Sequence, residues 1–192
     1  MTSAPRLNSA PDQPGGDPDL LAVRAAQSDR AEFGRLYRRY LDRVYTYAFY
    51  QLGDHHDAED ATERTFMAAL AALDSFRDEG STFRAWLFRI AHNTVANVHR
   101  TRARRRWQPF PEGFERAAPD ADPAGLVARA DEVREVLRAL ETLPEDRRQV
   151  VVLRFADGLS SAEIGEVLGR SPGAVRVLLH RALRDLAERL RH

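Results

Sequence analysis

The chain has 192 residues, 43% of them hydrophobic and 30% charged, which suits one large or two small globular domains. Net charge is zero, but all 29 basic residues are Arg and they are unevenly spread, so nucleic acid stays open as a partner. The absence of cysteine excludes disulfides, thiolate metal sites and thiol redox chemistry. No apolar run approaches the roughly 20 residues that span a bilayer, and no basic stretch followed by an apolar core opens the chain, so a cytoplasmic protein without membrane or secretory segments is expected.

Proline marks the boundaries. Pro5, Pro11, Pro14 and Pro18 lie in an N-terminal tail, and Pro109, Pro111, Pro119 and Pro123 lie in mid-chain. The predicted organisation is a disordered tail over 1–17, a helical domain over 18–107, a flexible acidic linker over 108–128, and a second helical domain over 129–192. No alternating apolar run is long enough for a strand. The expected fold class is therefore all-α: two small helical domains joined by a flexible linker, the C-terminal one containing a helix-turn-helix.

Asp19–Gln27 reads as a short helix. Asp29 and Glu32 are spaced as a capping box for a longer helix that Gly53 stops after Leu52. Its aromatics, Phe33, Tyr37, Tyr40, Tyr45, Tyr47, Phe49 and Tyr50, are expected to pack against neighbouring helices. Over Asp54–Ser75, Ala58, Thr62, Thr65, Phe66, Ala69, Leu70 and Leu73 share one helical face. Asp57, Asp60, Glu63, Arg64 and Met67 share the opposite one. An exposed Met within an acidic face suits a protein contact surface. His55/Glu59 and His56/Asp60 have i,i+4 spacing, but adjacent histidines point about 100° apart on a helix, so no metal site is expected there, and no cofactor elsewhere.

A loop, Arg77–Thr82, leads into the helix Phe83–Arg106. This helix carries seven Arg and no acid, whereas Asp19–Phe83 carries eight Arg against twelve acids. Phe83, Trp86, Leu87, Ile90, Ala91, Val95 and Val98 are predicted to point inward. Arg89, His92, Asn93, Ala96, His99 and Arg100 line the outer face, a combination that suits a nucleic-acid strand, although a basic solvated helix end explains Arg102–Arg106 equally well.

Past the linker, Ala130–Glu141 reads as a helix with Val133, Val136, Leu137 and Leu140 on one side. After Pro144 another helix carries Val150, Val151, Leu153 and Phe155 and ends at Gly158; both are expected to pack against the helix-turn-helix. In LSSAEIGEVLGRSPGAVRVLLHRALRDLAERL (Leu159–Leu190), Ser160 and Glu163 are spaced as a capping box. Gly169 fits just past that helix, Ser171 caps the next, and Pro172 takes its first position. Val175, Leu178, Leu179, Ala182, Leu186 and Leu190 form a buried stripe; Arg176, Val177, His180, Arg181 and Arg184 lie off it. The pattern is a helix-turn-helix with a basic outer face, and an ordinary helical hairpin is the alternative.

DAEDATERTFMAAL (Asp57–Leu70), FRAWLFRIAHNTVANVHRTRARR (Phe83–Arg105) and LPEDRRQVVVLRFADGLSSAEIGEVLGRSPGAVRVLLHRAL (Leu143–Leu183) together resemble bacterial RNA polymerase sigma factors of the extracytoplasmic-function (ECF) type. The resemblance covers all but the tail and linker. It implies a non-enzymatic promoter-specificity subunit that binds core polymerase, selects promoters and helps open them. It further implies that Asp57, Asp60, Glu63 and Met67 dock on the β-prime clamp helices, with the second domain at the β flap. Arg77, Ser81, Thr82, Arg89, His92, Asn93, Ala96 and Arg100 would bind the opened minus-ten strand. Ser171, Gly173, Arg176, Val177, His180, Arg181 and Arg184 would read the minus-thirty-five duplex, and an anti-sigma factor is a further partner. The chain departs from the family pattern at Arg64, Asn97, Ala174 and Leu178. A helix-turn-helix regulator that works without polymerase is the alternative function.

Overall fold

Leu36, Tyr40, Val44 and Tyr47 recur at helical spacing along α2 (Phe33–Leu52), and all are buried. Around this spine the computed structural model describes residues 17–106, 135–156 and 158–189. The expected tail, apart from Asp17, and the linker over 108–128 lie outside the described residues. The first group contains α1 (Leu20–Ser28), α2, α3 (His55–Ala72) and α4 (Phe83–Arg106). The second contains α5 (described over 135–141), α6 (Glu145–Ala156), α7 (Ser161–Leu168) and α8 (Pro172–Arg189). No strand occurs among the described residues, in agreement with the all-α expectation.

Local chemistry explains most of the element ends. Gly53 stops α2 in the left-handed conformation at φ 67°, its N–H reaching the Phe49 carbonyl at 2.8 Å. Asp54 then caps α3 by accepting from the Asp57 N–H at 2.9 Å. Asp29 and Glu32 form no capping box. Asp29 accepts from the Ala31 N–H at 3.0 Å and heads a short 3₁₀ turn, Arg30–Glu32, while the Glu32 carboxylate pairs with Arg35 at 3.2 Å. The N-terminus of α4 is secured from a distance: Asp17 accepts from the Phe83 N–H at 2.6 Å, and Thr82 Oγ1 accepts from the Ala85 N–H at 3.2 Å. Asp19, buried, accepts from the Tyr40 hydroxyl and pairs with Arg39 at 2.6 Å, fixing the entry to α1 against α2.

The helix-turn-helix forms as its sequence predicts. Ser160 and Glu163 complete the capping box at 3.2 and 2.9 Å, Gly169 is left-handed at φ 64°, and Ser171 caps α8 through the Ala174 N–H at 3.2 Å. Gly165 is required for another reason. A Cβ there would lie 2.5 Å from the Arg170 carbonyl oxygen, because the turn backbone crosses directly over it. Gly165→Ala should therefore destabilise the helix-turn-helix by about 2 kcal/mol, read as a lowered thermal midpoint, since backbone must shift to admit one methyl. Val175, Leu178 and Ala182 are buried as expected. Leu178 thus belongs to the core and not to the exposed face of α8. Phe155, expected to pack beneath the helix-turn-helix, is instead 52% exposed.

The two helical groups pack on one another. α4 lies against α7, and α2 against α6. Ala85, Trp86, Leu87 and Phe88 are all buried, four consecutive helical positions that span every direction around the axis. One packed face cannot bury such a run. Here α2 and α3 cover α4 on one side and α7 covers it on another.

Candidate nucleic-acid interface

α8 presents its outer face as its pattern requires. Ser171, Gly173, Arg176, Val177, His180, Arg181 and Arg184 are all exposed, opposite the buried Val175–Leu178–Ala182 stripe. Ser171 spends its hydroxyl on the cap and Arg184 lies 3.9 Å from Glu188, whereas Arg176 and Arg181 have no ion-pair partner among the described residues. Val177, 51% exposed, adds an apolar contact beside them.

The basic helix α4 divides into an outer stripe and an inner set. Arg89, Asn93, Ala96 and Arg100 fall at i, i+4, i+7 and i+11, a line of about 16 Å along the helix. Arg89, Asn93 and Arg100 are exposed, Ala96 is half-buried, and Arg100 hydrogen-bonds to Asn97 one turn back. His92 does not join the stripe; it is half-buried, its Nδ1 3.2 Å from the Tyr47 hydroxyl. Arg77 is held by the chain's own carbonyls, donating to Asp74 at 2.7 Å and Phe76 at 2.9 Å. Ser81 and Thr82 are half-buried at the start of α4.

Thr82 leads to Glu163, whose contacts extend beyond its local cap. The Glu163 carboxylate accepts from Thr82 Oγ1 at 2.9 Å and from Arg84 Nε and Nη2 at 2.6–3.0 Å, while its Oε2 also accepts from the Ser160 N–H. Burial alone would raise this carboxyl, but the Arg84, Ser160 and Thr82 hydrogen bonds and the Arg84 charge outweigh it and hold its pKa below the usual value. The N-termini of α4 and α7, both positive helix ends, thus meet across one carboxylate.

The acidic face of α3 is split. Glu63 and Met67 are exposed, Met67 by 64%, and half-buried Asp60 lies 3.8 Å from Arg64. Asp57 turns the other way. It pairs with Arg102 of α4, which also donates to the Leu52 carbonyl at 3.0 Å, so Asp57 ties three helices together. Between α2 and α3 an open groove of 530 Å³ is lined by Tyr37, Leu41 and Phe66, with Asp42, Glu59 and Glu63 along it and Met67 beside them. Tyr37 is 40% exposed there, with its ring 4.8 Å from that of Phe66. Tyr37, expected to pack against a neighbouring helix, is thus partly open to solvent. His55 stacks on Phe49 at 4.3 Å, and no metal-binding cluster of His, Asp and Glu occurs among the described residues.

His92 and His99 sit where α4 meets α2 and α6. Burial lowers the pKa of both. For His99 the Arg148 and Arg102 charges add to this, opposed by Glu145 and the Gln51 backbone; for His92 only Glu145 opposes it. A histidine with a lowered folded pKa binds fewer protons than the unfolded chain. Its neutral form therefore supports the fold fully above the unfolded value of 6.5, and that support falls as pH drops from 6.5 toward the lowered value. Thermal stability should decline as pH falls below 6.5, and His92→Gln with His99→Gln should flatten that slope. An unchanged slope would assign it to other groups.

Residues 36–105 match the family model described as Sigma-70 region 2, and residues 133–186 match Sigma-70, region 4. The chain is 36% identical over 183 residues to the ECF RNA polymerase sigma factor BldN of Streptomyces coelicolor, covering 93% of this chain and 69% of the relative. It is 30% identical over 173 residues to the ECF RNA polymerase sigma factor SigW of Bacillus subtilis, covering 86% and 92%. Among solved structures it is similar to CnrH in complex with the cytosolic domain of CnrY, with TM-score 0.71, 30% identity, and 91% and 97% of the two chains covered. It is also similar to the sigma factor RpoE in complex with the anti-sigma factor NepR from Bartonella quintana, with TM-score 0.66, 27% identity, and 83% and 97% covered. The two region models fall on the two helical groups in order, α2 to α4 and then α5 to α8, and the chain belongs to the ECF sigma factors of RNA polymerase.

Proposed function

We propose that the chain acts through three separate surfaces: a core-polymerase dock on α2 and α3, a single-strand site along α4 and its preceding loop, and a duplex reader on α8. The dock comprises Asp60, Glu63 and Met67 together with Tyr37 and Glu59, set against the basic clamp of the β-prime subunit. Asp57 supports this face from within. The strand site uses Arg89, Asn93 and Arg100, with the loop over 77–82 at one end. The carrying observation is the division of charge and exposure: an apolar, acid-rimmed groove on one helix pair, and exposed Arg on two other helices. A polymerase-independent repressor needs only the last surface.

The role is recognition and promoter opening in the cytoplasm, not catalysis. An anti-sigma factor is a fitting inhibitor, because the similar RpoE structure was solved with one. The test is run-off transcription with core polymerase on a promoter library, followed by sequencing of the selected start sites. Selection of a shared pair of promoter elements, dependent on this chain, supports the reading. Tight duplex binding without core, and no stimulation of transcription with it, would overturn it.

A further inference from the structure

A cavity of 260 Å³ lies where the end of α2 meets the C-terminal half of α4, with α5 and α6 forming its other walls. Its lining is rich in hydrogen-bond donors: Gln51 from α2, His99 and Arg102 from α4, and Arg148 from α6. Two of these are unused. Gln51 is 5% exposed, and its amide Nε2 has no hydrogen-bond partner among the described residues. The Nε of half-buried Arg148 is also buried without one, and its guanidinium makes no ion pair among the described residues. Arg102 differs, because Asp57 and the Leu52 carbonyl already hold it. One carboxylate, exposed Glu141, completes the charged lining.

A buried donor left unpaired is costly, and a half-buried cation without a counter-charge is costlier still. A neutral molecule offsets the first cost but not the second. An oxyanion offsets both, and the planar guanidinium fork matches its geometry. The volume limits its size. It falls short of the roughly 300 Å³ at which sites for drug-sized ligands begin, so it suits a bare oxyanion or a small phosphomonoester rather than a nucleotide.

We propose that Gln51, His99 and Arg148 form a binding site for a small phosphate-class oxyanion in the cavity between the end of α2, α4 and α6. The site goes beyond promoter recognition and uses none of the exposed residues of the α4 stripe or of α8. The bound anion neutralises Arg148 and pairs the Gln51 amide, so occupancy stabilises the folded chain. It also sets a negative charge beside His99, whose pKa burial and then the Arg148 and Arg102 charges hold down.

The full chain is titrated with inorganic phosphate, with glycerol 3-phosphate as a small phosphomonoester, and with sodium chloride at matched ionic strength. Calorimetry and the thermal midpoint read binding. The NMR resonances of the His99 ring, assigned by their loss in His99→Gln, read where the anion sits. Phosphate should saturate one site, raise the midpoint beyond the chloride control and shift the His99 ring. The tighter of the two phosphate probes identifies the free oxyanion or the monoester as the better ligand.

Arg148→Gln keeps a polar side chain and loses the charge, and should weaken phosphate about tenfold. Arg104→Gln, exposed on α4 and outside the cavity, should leave the affinity unchanged. Gln51→Glu places a carboxylate of the chain's own among the donors and should abolish the phosphate response. Circular dichroism verifies folding, and where a variant fails to fold, the His99 shift in the wild type still decides. A wild-type midpoint that phosphate moves no more than chloride does would overturn the site. So would wild-type affinity in Arg148→Gln, a full phosphate response in Gln51→Glu, or a loss as large in Arg104→Gln as in Arg148→Gln. Saturable binding that leaves the His99 ring unmoved would place the anion elsewhere and overturn it equally.

Discussion

The double variant Glu63→Arg with Met67→Arg should lower affinity for core RNA polymerase by roughly a hundredfold, with the thermal midpoint shifted by only about 2 °C. Both side chains are exposed on α3 and neither touches the packed face of Ala58, Thr65 and Ala69, so the fold has no reason to respond. The contact has every reason. Met67 is a large apolar side chain, 64% exposed, beside a groove whose floor is Phe66 and whose wall is Tyr37. Placing a guanidinium there desolvates a charge on binding, and reversing Glu63 removes an attraction to a basic partner and adds a repulsion. Equilibrium binding to core enzyme together with a melting curve checks both halves. Core affinity equal to wild type would remove this face from the docking surface.

Asp57 supplies the contrast. Its carboxylate faces Arg102, and the same guanidinium holds the Leu52 carbonyl at the end of α2. Reversal of Asp57 would set two cations together at a junction of three helices, so any loss of core binding would be confounded with loss of fold. The sequence pattern placed Asp57 with Asp60 and Glu63 because all three share one side of a helical wheel. A wheel describes one helix, and the partner that captures Asp57 lies 45 residues further along the chain.

The same physics separates what the sequence revealed from what it hid. Ser160 with Glu163, Gly169, Ser171 and Pro172 act within a few residues of themselves, so the helix-turn-helix was readable from spacing alone. Asp17, Asp19 and Glu163 make their decisive contacts across 66, 21 and about 80 residues, which no local pattern encodes. By residue type Asp17 and Asp19 read as solvated acids, and spacing gives Glu163 only its local cap. One signal was present and could have been used. In FRAWLF (Phe83–Phe88) five of six positions are apolar, too many for a helix with a single buried face, and all but half-buried Arg84 are in fact buried. Such a run predicts cover from two sides, and therefore a second helical group against α4. Phe155 shows the converse: its residue type predicts burial, while its place at the C-terminal end of α6, beside the groove lined by Tyr50 and Val136, leaves it exposed. The exposed stripe of α4 was legible for Arg89, Asn93 and Arg100, whose i,i+4 and i,i+7 relations are local. His92 lies off that exposed stripe, where the Tyr47 hydroxyl of another helix draws the ring inward.

Readout by α8 should divide between two arginines on one exposed face. Arg176 lies in the first turn and a half, close to the capped N-terminus, the end by which a recognition helix would enter the major groove. Its guanidinium has no ion-pair partner among the described residues, so its full donor fork is free for the acceptors of a guanine edge. Arg176→Ala should therefore cost about 1–3 kcal/mol on the preferred minus-thirty-five element and relax preference at one base pair. Arg184 is two turns further along, where a helix docked by its N-terminus would pass the phosphate backbone, and its neighbour Glu188 at 3.9 Å already dilutes its charge. Arg184→Ala should weaken all promoters alike and flatten the dependence of log affinity on log salt by about one unit. A minus-thirty-five library assayed at two salt concentrations separates these outcomes. A loss for Arg176→Ala that is equal on every sequence would make Arg176 a phosphate contact and shift base selection to Val177 and His180, the exposed neighbours on the same face.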